Sequence, residues 1–220
     1  MIGGLRAGWR GLRHLQQRGY QYVWCNALWA LLSLPVITAP AAWAGFNRLS
    51  YKLHREPAVT LDEFWVGFKE NIGRGALIAL ANLLVIGILV TNMLVNWGAT
   101  DAQSLFMQGL RILAMFVWIS VQIYLWPLFY AMKTPHLSGA IKNAWIMLVS
   151  NPGFTIGIWV WLIVVSLLSI VMTPAWFLIS GGALVAIINS GVQDRLRAAG
   201  LEAPAKYDEN SVIDASFSDV

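Results

Sequence analysis

The chain has 220 residues, of which 58% are hydrophobic and only 12% charged, with twelve tryptophans and a formal net charge of +4. Soluble domains carry about a quarter charged residues, so this composition excludes an ordinary water-soluble domain. The lone cysteine, Cys25, excludes an intramolecular disulfide and a cysteine metal site. The basic residues sit beside apolar runs, which points to anionic lipid headgroups rather than nucleic acid.

Residues 1–21 hold four arginines and no acid. Arg6, Arg10 and Arg13 recur at helical spacing, while Leu5, Trp9, Leu12 and Leu15 fall on another side. The pattern predicts a basic amphipathic helix lying on a membrane surface, arginines toward headgroups. Gly4, Gly8 and Gly11 each cost about 1 kcal/mol of helix propensity, so a disordered basic leader stays open as the alternative.

The next stretch, "LWALLSLPVITAPAAWAGF" (28–46), is apolar but interrupted by Pro35 and Pro40. With its basic leader and "AWAG" it satisfies the loose grammar of a signal peptide, yet Asn26, two tryptophans and Pro35 break the apolar region. Two other readings remain. In one, residues 22–53 form a proline-broken element that enters and leaves the membrane on the same side; in the other they cross it, with the N-terminus outside. Positive charge prefers the cytoplasm, and the re-entrant reading puts fourteen of the fifteen Lys and Arg there, leaving Arg111 alone outside. Backbone groups freed at the break need partners within the protein. Asn26, Ser33, Thr38 and Asn47 are the candidates to supply them, with Pro35, Thr38 and Pro40 forming the turn. Arg48 and Lys52 would anchor the exit at the headgroups.

Four cleaner apolar runs follow, at 75–97, 112–132, 154–173 and 175–193, each long enough for a hydrocarbon core about 30 Å thick. The last two form a hairpin about Pro174, and Pro127 is expected to kink the second. The fold class is therefore all-α: a polytopic membrane bundle over 22–193, with surface helices at 61–72 and 136–149. The first of these opens with Thr60 and Glu63 at capping-box spacing. The units 22–97 and 112–173 each read as broken helix, surface helix, spanning helix, which suggests an internal duplication. Residues 194–220 form a polar, largely disordered cytoplasmic tail.

The four runs carry no internal charge; Arg111 sits at an edge where it can snorkel. That argues against ion-coupled transport. Asn92 and Gln122, with Trp118 and Tyr124, are the candidate polar pathway for a solute such as a sugar. Small residues at Gly182, Ala186 and Ser190, and at Gly75, Ala79 and Gly87, mark close helix packing or an oligomer seam. His14, His54 and His136 read as scattered surface residues. Asp62, Glu63 and Glu70 read as capping and solvation. No nucleophile motif, phosphate loop or metal-ligand spacing is found, so no catalytic, cofactor or metal residue is assigned.

The segments "CNALWALLSLPVITAPAAWAGFNRLSYKLHRE" and "FWVGFKENIGRGALIAL" resemble the YesL-like bacterial membrane proteins. The shared positions are Asn26, Leu28, Trp29, Ser33, Leu34, Pro35 and Thr38, then Phe68, Lys69, Glu70 and Asn71. Ala39 stands where that family commonly has Gly. The resemblance implies a multi-pass protein of the bacterial cytoplasmic membrane with a role around carbohydrate use. The resulting expectation is a non-enzymatic accessory or scaffold subunit with both termini cytoplasmic, partnering a sugar-transport complex or a second copy of itself. The alternative is a sugar or polyol channel without ion coupling.

Overall fold

The computed structural model describes residues 1–201 and is all helix with no strand among them. In chain order the helices are α1 (Ile2–Gln17), α2 (Gly19–Ser33), α3 (Ala39–Leu53), α4 (Asp62–Glu70), α5 (Ile72–Val95), α6 (Ala102–Ala131), α7 (Leu137–Ser150) and α8 (Pro152–Val171). A single turn α9 (Thr173–Ala175) and a π-helical turn (Trp176–Ser180) then lead into α10 (Gly181–Ala198). Four segments are long and apolar enough to cross a membrane: α5, α6, α8 and Trp176–Ala198. Most of the tail expected at 194–220 lies outside the described residues; its first part continues α10 and carries Asp194 and Arg195.

The leader does not lie apart on a surface. Helix α1 seats in the groove between α8 and α10, burying Gly4, Ala7, Gly8 and Gly11. A Cβ on Gly11 would come within 2.7 Å of the Ala186 carbonyl and the Ile187 Cα, and one on Gly8 would enter the Trp161 ring. The glycines that weaken α1 as an isolated helix are thus what lets its backbone touch two others. Trp161 Nε1 donates to the Leu5 carbonyl (2.9 Å) and Ser190 Oγ to the Ala7 carbonyl (2.9 Å). The small-residue seam of α10 is filled from within the chain: Gly182 faces Leu15 and Tyr22, Ala186 faces Gly11, and Ser190 holds Ala7.

Helices α2 and α3 form a hairpin about residues 34–38. Its two arms are tied by Tyr22 Oη to Ser50 Oγ (2.9 Å) and by the Trp29 and Trp43 rings, 5.7 Å apart, so the hairpin begins and ends at one place. At the exposed tip Val36 adopts φ +46°, a left-handed conformation that a β-branched residue strongly disfavours. Trp43 packs against all three apolar clusters of the interior and so joins the hairpin to the rest of the bundle.

The second proposed repeat unit has no such break. Helix α6 runs without interruption through Pro127, which is buried, so the two units differ in architecture. Asp101 caps α6 by accepting from Ser104 N (2.9 Å), which starts the helix well before residue 112 and puts Arg111 inside it. Helix α7 buries Ala140, Ala144, Met147 and Leu148, but its outer face shows Ile141, Trp145, Ile146 and Val149. That apolar exterior suits lipid better than water.

Replacing Gly11 with Val is expected to lower stability by about 1–3 kcal/mol through overpacking, seen as a drop in the thermal midpoint of the detergent-solubilised protein. Gly19→Ala, where nothing lies within 4 Å of the added Cβ, should leave the midpoint unchanged or raise it.

Candidate functional site

Polar side chains gather most densely where α5 begins and α6 ends. Arg48 Nε donates to Glu63 (2.9 Å), Arg48 Nη1 to Glu70 (2.7 Å), and Lys52 Nζ to Glu63 (2.7 Å). Arg48 and Lys52 were expected to meet headgroups; they are instead ion-paired to α4. Glu63 therefore forms no capping box with Thr60, whose hydroxyl bonds Asp62 (3.0 Å). Partial burial acts to raise the Glu63 carboxyl, but its hydrogen bonds from Lys52 and Arg48 prevail and hold it below the usual carboxylate range.

Asn71 lies buried at the junction of α4 and α5. Its amide donates to the Gly67 carbonyl (2.8 Å) and to Tyr130 Oη (3.0 Å), and its oxygen accepts from Arg74 Nη1 (3.0 Å). Tyr130 Oη in turn donates to the Ala44 carbonyl (3.1 Å). The Arg74 guanidinium lies 5.3 Å from the Phe129 ring centre. Together Arg48, Glu70, Arg74, Phe129, Tyr130 and Pro135 line an open cleft of about 390 Å³.

The residues expected to serve the hairpin break divide among several tasks. Thr38 Oγ1 does donate to the Leu32 carbonyl at the break, whereas Ser33 Oγ has no partner there. Pro35 is exposed at the tip and Pro40 occupies the first turn of α3. Asn26 serves a different break. Its amide donates to the Trp176 and Phe177 carbonyls (2.9 and 2.6 Å), and its oxygen accepts from Gly182 N (3.0 Å). It thereby satisfies the π turn, whose carbonyls lie outside the ordinary helical ladder. Asn47 donates to the Trp43 carbonyl (2.9 Å) and accepts from Asn189 (3.1 Å), linking α3 to α10.

The candidate pathway residues do not converge. Trp118 donates to Asn82 on α5 (2.8 Å), Tyr124 to Thr155 on α8 (3.0 Å), and Asn92 only to its own helix at Ile88 (2.9 Å). Gln122 is half-buried on α6. Among the leader arginines, Arg10 pairs with Asp194, Arg13 lies over the Trp9 ring at 5.6 Å, and Arg6 is exposed.

Two histidines read as surface residues are instead stacked. The His14 and His54 rings lie 3.7 Å apart at 21°, while His136 is exposed as expected. His14 Nε2 faces the Leu53 carbonyl (3.2 Å) and so carries the proton, leaving Nδ1 to accept from Tyr22 Oη (3.1 Å). His54 Nδ1 likewise donates to the Ser50 carbonyl (2.8 Å). Burial pushes His14 from 6.5 down to about 4, and burial with the neighbouring His14 pushes His54 down as well. Chain spacing gives no sign of this pair, nor of Tyr130 meeting Asn71. Glu70 and Asn71 did carry a signal, within the Phe-Lys-Glu-Asn segment.

These features define the class: a polytopic helical membrane protein. A family model described as "Protein of unknown function, DUF624" matches residues 22–93, the stretch from α2 through most of α5. This is the family that contains the YesL-like proteins. The comparisons with curated proteins and with solved structures give no match.

The histidine pair sets an acid limit. The folded protein holds imidazoles neutral that the unfolded chain protonates below about 6.5, so stability is fully present above that pH and falls as pH drops toward 4. The thermal midpoint should decline between about pH 7 and pH 5, above the carboxylate range. His14→Gln with His54→Gln should flatten that decline; an unchanged slope would remove the pair as its cause.

Proposed function

We propose that the protein is a non-enzymatic accessory or scaffold subunit of the bacterial cytoplasmic membrane, working beside a carbohydrate uptake or utilisation system. The observation that carries this reading is the state of α5. Along this whole helix only Gly75 and Ile78 are buried, leaving Leu77, Leu80, Leu83, Leu84 and Ile88 outward. A long apolar helix held mainly at its first turns suits a surface shared with lipid and a partner span. The interior polar groups bond helix to helix, which favours a scaffold over a solute channel. The link to carbohydrate rests on the family resemblance.

Both termini are read as cytoplasmic, and the hairpin α2–α3 as re-entrant. Charge supports this orientation. At one end of the α5–α6 hairpin Arg74 of α5 lies beside Tyr130, with Arg48 and Lys52 of α3 close by. The other end, where Gln108 bonds the Asn96 carbonyl (3.0 Å), is bordered by Asp101 and Arg111. Positive residues favour the cytoplasmic face.

Affinity purification from native membranes in mild detergent should recover a stoichiometric membrane partner; a protein that always emerges alone counts against the subunit role. Topology has its own check. In a Cys25→Ala background, cysteines placed at Gly3 and Thr60 should both resist an impermeant maleimide applied from outside. Labelling at Thr60 would show that the hairpin crosses, and labelling at Gly3 would put the N-terminus outside.

A further inference from the structure

We propose that the cleft between the start of α5 and the end of α6 binds the phosphate of a mono- or diester ligand, with Arg74 as its anion contact. The inference stands apart from the subunit reading, since it needs only the cleft.

Arg74 is the distinctive group. Arg48 meets two carboxylates, Glu63 and Glu70, and Lys52 meets Glu63. Arg74 meets none among the described residues. Its Nη1 bonds only neutral oxygens, the Glu70 carbonyl (3.3 Å) and Asn71 Oδ1 (3.0 Å). Its Nε and Nη2 make no protein hydrogen bond among the described residues. The charge is therefore uncompensated while its orientation is set, by Asn71 on one side and the Phe129 face on the other. A guanidinium presented in this way offers the fork that matches two phosphate oxygens.

The surroundings favour an anion over a cation. Arg48, Lys52 and Arg74 oppose Glu63 and Glu70, which leaves one positive charge in the group. Glu70 lines the cleft but is already bonded to Arg48 at 2.7 Å, so its repulsion is largely cancelled. Arg74 also lies in the first turn of α5, a 24-residue helix with no side-chain cap because Asn71 Oδ1, the atom that would accept from the helix amides, accepts from Arg74 instead. The partial positive charge of that helix end adds to the guanidinium.

Size and position narrow the ligand. A volume of about 390 Å³ accommodates a headgroup or a phosphorylated monosaccharide. Pro135, exposed at the rim, supplies an apolar wall against which a glycerol backbone or a sugar face can rest. The cleft opens where two candidate spans, α5 and α6, end together, at the boundary where lipid phosphates lie. The shared chemistry is a phosphate ester; its source is a phospholipid headgroup or a soluble sugar phosphate.

The test is calorimetric titration of the delipidated full-length protein in neutral detergent, with dihexanoyl phosphatidylglycerol in one arm and glucose 6-phosphate in the other. One equivalent of at least one probe should bind, and the arm that responds identifies the source. Arg74→Gln should weaken that binding by about tenfold or more. Glu70→Gln, which releases Arg48 from one carboxylate, should tighten it. Absence of binding in both arms overturns the proposal, as does an affinity untouched by Arg74→Gln. Should Arg74→Gln fail to fold, Glu70→Gln decides: tighter binding upholds the site, and unchanged or weaker binding overturns it.

Discussion

Backbone-to-backbone contact between α1 and the α8–α10 pair is the interaction on which the remaining architecture leans. Gly4, Gly8 and Gly11 remove the side chains that would hold the helices apart, and Trp161 and Ser190 then reach carbonyls of α1. With that groove filled, α10 becomes the most enclosed of the candidate spans. It offers Asn189 to Asn47 of α3 and the Gly182 amide to Asn26 of α2. The hairpin is thus positioned by the same helix that α1 secures, and the hairpin in turn carries Arg48 to α4.

Where lipid offers no hydrogen bonds, every irregular stretch of backbone needs a partner from the protein. The bundle meets that demand locally. Asn26 serves the π turn, Thr38 the hairpin tip, and Ser169 with Ser180 the entrance to α10, 2.5 Å apart. Apart from Arg111 within α6, the charged groups lie at the margins, where carboxylates of α4 and α10 answer Arg48 of α3 and Arg10 of α1. Arg74 has no such carboxylate among the described residues and is held by an amide and an aromatic face instead.

The long spans were legible because run length alone sets them, and the break at 34–38 was legible because Pro35 and Pro40 bracket it. The role of α1 was not. Glycines three and four apart weaken an isolated helix, and only the presence of α8 and α10 turns that weakness into contact. Arg10 and Arg48 likewise read as lipid-facing until Asp194 and Glu63 are brought to them by folding. The cleft was half visible: Glu70 and Asn71 lie in a segment of recognisable pattern. Tyr130 and Phe129 arrive from a distant helix with no local mark, and so do the facing imidazoles of His14 and His54.

The seat of α1 has a consequence for synthesis. Its bonded partners Trp161 and Ser190 lie 156 and 183 residues later in the chain, so α1 leaves the ribosome long before the helices it packs against. Contacts of such wide sequence separation form slowly and leave surfaces open meanwhile. During that interval the strip of bare glycine backbone on α1 stays uncovered, until α8 and α10 arrive to close over it.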